Sequence, residues 1–157
     1  MQHESHPSAA HYYWRLLSML VLSAVAMYWL MYAMVNELSN VFMNANQLYM
    51  ALLMTAPMAV IEIVLMRSMY PSKRLNVMVA VGSLILLLGS WMAIREQAAI
   101  GNAQFLRSMI PHHAGAILMC ERADVSDAGI QALCRSIIES QQSEIDQMKA
   151  MLASTAR

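Results

Sequence analysis

The chain has 157 residues, 59% of them hydrophobic and 13% charged, about half the charged share of an ordinary soluble domain. Lys and Arg (10) balance Asp and Glu (10) to a net charge of +0, so no basic footprint points to nucleic acid. The seventeen methionines either fill gaps in apolar helices or offer thioethers to a soft ion such as Cu(I) or silver.

Residues 1–12 read as a polar tail too short to fold alone. His3, His6 and His11 offer imidazoles to Cu(II) or Ni(II), although short histidine tails also occur without function. Residues 13–94 carry three windows almost free of charge: Trp14–Val35 with Arg15 at its head, Leu48–Met66 with only Glu62, and Leu75–Ile94. Each is about 20 residues, the length of a helix crossing a hydrocarbon core of ~30 Å. The first window is too long for a removed signal peptide and lacks a suitably placed small-residue cleavage site. Three retained membrane helices are expected, with Trp14, Tyr28, Trp29, Tyr32, Tyr49, Tyr70 and Trp91 near their ends, where amphipathic rings favour the interface.

Arg15, Arg67, Lys73 and Arg74 mark one side of the membrane, whereas the connection from Asn36 to Gln47 has no Lys or Arg. The positive-inside rule then places the N-terminus in the cytoplasm and residues 95–157 outside, with Arg95 and Arg107 as weaker opposing evidence. In a Gram-negative bacterium this is a multi-pass inner-membrane protein with a periplasmic tail. That compartment permits a Cys120–Cys134 disulfide; the two cysteines fit no zinc-ligand spacing. An ionisable residue within a span is a functional candidate, and Met50, Met54 and Met58 precede Glu62 at intervals of four. Met27, Met31 and Met34 cluster on the first helix. These form either a soft-ion path or simple packing, with Glu62 near the cytoplasmic side or bonded to a neighbour.

Residues 95–157 show helical periodicity and no strand-like alternation. A helix from about Asn102 to Ala123 is followed by the turn Asp124–Gly129, and Ser126 or Asp127 is placed to cap a second helix running to about Leu152. Pro111 lies inside the first helix and is expected to kink it. Two such helices are short of a self-sufficient core. Pairing hairpins from two chains into a four-helix bundle is the economical solution, so a homo-oligomer, most simply a dimer, is expected.

At ~100° per residue, Phe105, Met109, His112, Ala116 and Met119 share a face of the first helix. Ile130, Leu133, Ile137, Gln141, Glu144, Met148 and Met151 share a face of the second. A carboxylate in an apolar stripe needs a partner, and imidazoles and thioethers are on offer opposite it. The pattern reads as a soft-metal site or as a buried His–Glu pair. His112 is the better ligand candidate, because adjacent histidines point about 100° apart and His113 falls at the rim or reaches a second chain. Glu144 either ligates directly or orients the imidazole.

The run Phe105-Leu106-Arg107-Ser108-Met109-Ile110-Pro111-His112-His113-Ala114-Gly115-Ala116-Ile117-Leu118-Met119, with Ile137 to Met148, resembles the domain of unknown function 305 family over about residues 102–152. The resemblance implies a ferritin-like, all-α helical domain, often exported, in a family with members associated with copper or silver binding and tolerance. Its matching positions are Met109, His112, His113, Met119, Glu144 and Met148. Cys120 departs from the pattern, where a small residue such as Ala is expected; it adds either a thiolate ligand or a disulfide partner. The three membrane helices lie outside the resemblance.

The leading expectation is a membrane-anchored protein that buffers or passes on copper, as Cu(I) or Cu(II), or silver at the outer face of the membrane, with a metal transporter or sensor as candidate partner. A di-metal oxidase is not expected, because such sites use Glu-x-x-His motifs and the chain has none; no Ser-His-Asp, nucleotide-binding or Gly-rich phosphate motif is present either. The alternative is a structural or assembly module in which the histidine and Glu144 merely pair.

Overall fold

A computed structural model describes residues 9–155, and His3 and His6 lie outside them. Among these residues the fold is all-α, with five helices: α1 (Ala9–Leu30), α2 (Ala45–Leu65), α3 (Lys73–Arg95), α4 (Asn102–Arg122) and α5 (Ala128–Thr155). Two units divide the chain. One holds the residues up to Tyr28 together with Leu48–Ala98; the other joins Trp29–Gln47 to the chain from Ala99 onward.

The first unit is built from α1, α2 and α3. Three stretches, Ala10–Met34, Ala45–Leu65 and Lys73–Arg95, are long and apolar enough to cross a membrane. Their side chains are largely uncovered: Leu22, Leu65 and Met78 are 69%, 76% and 67% exposed. Exposed apolar surface of this kind is compatible with a hydrocarbon surrounding. The turn between α2 and α3 is tied by polar groups. The Tyr13 hydroxyl donates to Asn76 Oδ1 at 2.7 Å, Asn76 Nδ2 donates to the Tyr70 carbonyl at 2.9 Å, and Ser72 caps α3 by accepting from Leu75 N at 3.3 Å.

At the end of α3, Gln97 (φ 49°) and Ala99 (φ 57°) adopt left-handed conformations. Ala98 N donates to Ala93 O at 2.9 Å and Gln97 N to Ile94 O at 3.4 Å, a helix-ending motif in which the left-handed residue is usually Gly. The Gln97 side chain adds its own bond to Ile94 O at 2.7 Å.

In the second unit α4 and α5 form a hairpin. Asp127 caps α5: its Oδ1 accepts from Ile130 N at 2.9 Å, and its carbonyl accepts from Gln131 N. The core comprises Leu106, Ile110, Ala114 and Ile117 of α4 with Ile145 and Met148 of α5. Much of the stripe expected on α5 is not covered, since Ile130, Leu133 and Met151 are 49%, 58% and 54% exposed.

The segment between α1 and α2, which reads as a bare connection in the sequence, covers α4. It forms short 3-10 turns at Met31–Met34 and Leu38–Asn40, and Val35 and Phe42 pack on the hairpin core. The Tyr32 hydroxyl donates to Phe42 O at 2.7 Å, and Asn40 Nδ2 donates to Asn36 Oδ1 at 2.8 Å. Gly115 of α4 lets this segment approach: a Cβ there would lie 3.4 Å from the Met34 carbonyl.

Asn44 ties the segment to α4. Its Oδ1 caps α2 by accepting from Gln47 N at 2.9 Å, while its Nδ2 donates to Phe42 O at 3.0 Å and to Arg107 O at 3.5 Å. Arg107 is four residues before Pro111, so its carbonyl is the one that loses its helical donor to the proline. Asn44 replaces that donor. α4 runs without interruption from Asn102 to Arg122 with Pro111 inside it.

Candidate functional site

His113 and Glu144 form the contact expected of a histidine and the carboxylate. His113 is 8% exposed, on the buried face of α4 with Ile110 and Ile117. Its Nε2 lies 2.6 Å from Glu144 Oε2, and its Nδ1 lies 3.0 Å from the carbonyl of Met109, one turn earlier. The side chain of Glu144 remains about half exposed, at 53%.

Both ring nitrogens therefore face oxygen acceptors. A neutral imidazole has a single N–H, for which the Met109 carbonyl at Nδ1 and the Glu144 carboxylate at Nε2 compete. The short Nε2···Oε2 contact is a hydrogen bond, and the two atoms would have to move apart to admit a metal ion between them. A carbonyl fixing Nδ1–H and leaving Nε2 forward is also the arrangement that orients metal-binding histidines.

The other expected residues divide into two groups. Met148 is buried in the hairpin core, one turn after Glu144, and Met109 packs against the same core. Gln141, one turn before Glu144, has its Oε1 buried with no hydrogen-bond partner. His112 and Met119 are exposed, and His112 meets His113 only edge-on, with ring centroids 6.0 Å apart. His113 rather than His112 faces Glu144, and the buried face of α4 is displaced by one residue from the expected stripe. Phe105, placed on that stripe, is 50% exposed, whereas Leu106 is 8% exposed.

No group of three or more His, Cys, Asp or Glu side chains is placed to hold a metal among the described residues. A metal at His113 and Glu144 would thus draw its remaining donors from amide or thioether groups. Gln141 Oε1, an orphaned buried acceptor, fits that requirement, as does the chemistry of Met109 and Met148.

The remaining candidates lie elsewhere. Cys120 and Cys134 are free, half-buried thiols. Interaction with Cys134 first, and then burial, pushes the Cys120 thiol up from its ordinary value. Glu62 accepts from the Tyr70 hydroxyl at 3.4 Å, the neighbour-bonded alternative read in the sequence. Burial first, and then Glu62, raise the Tyr70 hydroxyl above its ordinary 10.0. Met50 and Met54 are 40% and 39% exposed. His11 is exposed, its ring edge-on to Tyr12 at 6.2 Å.

The fold and the site define a class: a helical protein with three membrane-length helices, carrying a helical hairpin crossed by a His–Glu pair. Residues 92–152 match the model of the family described as "Domain of unknown function (DUF305)". Over 140 residues the chain is 34% identical to the "Uncharacterized protein L153" of Acanthamoeba polyphaga mimivirus, covering 87% of this chain and 90% of that protein. The chain belongs to the family of that viral protein and carries a DUF305 domain. No solved structure matches it.

Proposed function

We propose that the protein is a membrane-anchored binder of a soft metal, copper or silver, with the hairpin on the membrane face opposite the Arg67–Arg74 turn. In a Gram-negative cell this is the periplasmic face of the inner membrane. The observation that carries the reading is the His113–Glu144 contact: a buried imidazole whose Nδ1 lies 3.0 Å from Met109 O and whose Nε2 meets a carboxylate at 2.6 Å. A cation with affinity for imidazole can take the place of the hydrogen bond between the two side chains once they move apart to coordinate it. Gln141 Oε1 and the thioethers of Met109 and Met148 are the further donors, and a mixed set of this kind suits an adaptable site more than a closed thiolate cage. Binding displaces the proton, so affinity falls as pH falls.

The role is storage or transfer rather than catalysis, because the chain lacks the Glu-x-x-His pairs of the di-metal oxidases. A copper transporter or sensor is the natural partner. A second reading is favoured by the completeness of the pair as a hydrogen-bonded unit: it then only staples the hairpin, and the membrane helices serve assembly.

Metal analysis of the full chain purified in mild detergent, before and after reconstitution with Cu(I), separates the two. Copper retained near one per chain or per dimer, with Cu(I) weakened more than Cu(II) by Met109→Leu/Met148→Leu, supports metal binding. No retention after reconstitution supports the staple. Unchanged Cu(I) affinity in the double variant makes the thioethers core packing.

A further inference from the structure

A cavity of about 350 Å³ lies among the three membrane-length helices. It reaches from Tyr13 to Ala24 along α1, from Leu52 to Ala59 along α2 and from Val79 to Leu86 along α3. Its walls are almost wholly apolar and offer water few partners. The Thr55 hydroxyl is spent on the Ala51 carbonyl at 2.7 Å. The Tyr13 hydroxyl donates to Asn76 Oδ1 and accepts from Ser72 N. Leu17 and Val21, which line the cavity, are 47% and 54% exposed, so it opens sideways between the helices.

Length and charge select the occupant. From Tyr13 to Ala24 the cavity runs about 16 Å at 1.5 Å per residue, which is the depth of one leaflet in a hydrocarbon core of ~30 Å. Tyr13 is bonded to the start of α3, so Arg15, Lys73 and Arg74 mark the same end of the cavity, with Arg67 just before the turn. All four side chains are exposed. Against them stands Glu62, bonded to Tyr70. A basic cluster at the mouth of an apolar slot between membrane helices meets an anionic headgroup.

We propose that the cavity takes one acyl chain of an anionic phospholipid, with the lipid phosphate at the Arg15–Lys73–Arg74 end. The proposal rests on the reading of α1, α2 and α3 as membrane helices and is independent of metal at His113.

The test uses the full chain, delipidated in mild detergent and titrated with dioleoyl phosphatidylglycerol or dioleoyl phosphatidylcholine, with bound lipid counted by native mass spectrometry. One phosphatidylglycerol is expected per chain, held roughly tenfold or more tighter than phosphatidylcholine. A Cβ at Gly82 would meet nothing within 4 Å, so Gly82→Leu fills the cavity without moving backbone and is expected to lose the tightly held lipid. Arg15→Gln/Lys73→Gln/Arg74→Gln is expected to keep lipid binding and lose the preference for phosphatidylglycerol. Should Gly82→Leu not fold, wild type carries the test. Phosphatidylglycerol with a mid-chain diazirine is expected to label Leu52 and Leu86 ahead of the outward-facing Leu22 and Met78.

Equal affinity for the two lipids overturns the proposal, as does unchanged binding in Gly82→Leu or equal labelling of the four leucine and methionine positions. A dimer that Gly82→Leu splits while lipid binding is unaffected assigns the cavity to a helix of a second copy, and also overturns it. A chain that stays soluble without detergent removes the membrane reading itself.

Discussion

The Glu144 carboxylate stands half in water and half against a buried imidazole, so fold and metal affinity should respond differently to its loss. In Glu144→Gln the amide can donate to His113 Nε2, so the hairpin should keep its fold. Metal affinity, where the carboxylate ligates or orients the imidazole, is expected to fall roughly 10–100-fold; a metal titration beside circular dichroism reads both. Tyr70 gives a pH prediction of definite sign. Its hydroxyl is raised above 10.0, so the fold favours the neutral form. That contribution is complete below the unfolded value and is lost as pH rises beyond it. A tyrosinate titration compared with Tyr70→Phe should show that the step lost in the variant lies above 10.0.

At this scale the sequence disclosed the carboxylate but mistook its partner. α4 is apolar at Phe105, Leu106, Met109 and Ile110 alike, so its periodicity fits two stripes about 100° apart. What selects the Leu106–Ile110–His113–Ile117 face is cover from Val35 and Phe42 as well as α5, and that cover comes from residues distant in sequence.

Among the elements, the segment 29–47 was the least legible. It has no charge pattern and no helix of its own length, and its role depends on Asn side chains acting as local caps, which composition alone reports only as a loop. The helices themselves were legible, because capping by Asp127 and the charge-free windows are local signals. Asn44→Ala should cost about 1–3 kcal/mol, since it exposes the proline-orphaned Arg107 carbonyl and removes the α2 cap. Pro111→Ala combined with it should recover part of the loss, as the helix regains its own donor; denaturant melts of the four proteins test this cycle. Ile145→Ala, at a fully buried position in the same core, is expected to cost about 2–5 kcal/mol. Gly115→Ala should be tolerated, whereas Gly115→Leu should drive the Met31–Met34 turn off α4.

For the whole molecule, the all-α class and three membrane-length helices follow from composition, because twenty apolar residues without charge have few other uses. Orientation rests on Lys and Arg placement alone: a reporter fused after Arg157 should be active outside the cytoplasm, and activity confined to the cytoplasm contradicts that topology. The exposed Ile130, Leu133 and Met151 of α5 support pairing of two hairpins, for which mass measurement in detergent should return a dimer. A stable helical monomer would contradict it.

The central claim is that His113, rather than its neighbour, holds the metal with Glu144. It is tested most directly by titrating Cu(I) and Cu(II) into His113→Ala and His112→Ala side by side, each in the Cys120→Ser/Cys134→Ser background. His113→Ala should lose binding of both ions by roughly tenfold or more, with His112→Ala close to the parent. Loss confined to His112→Ala, or equal binding in both, would contradict the claim.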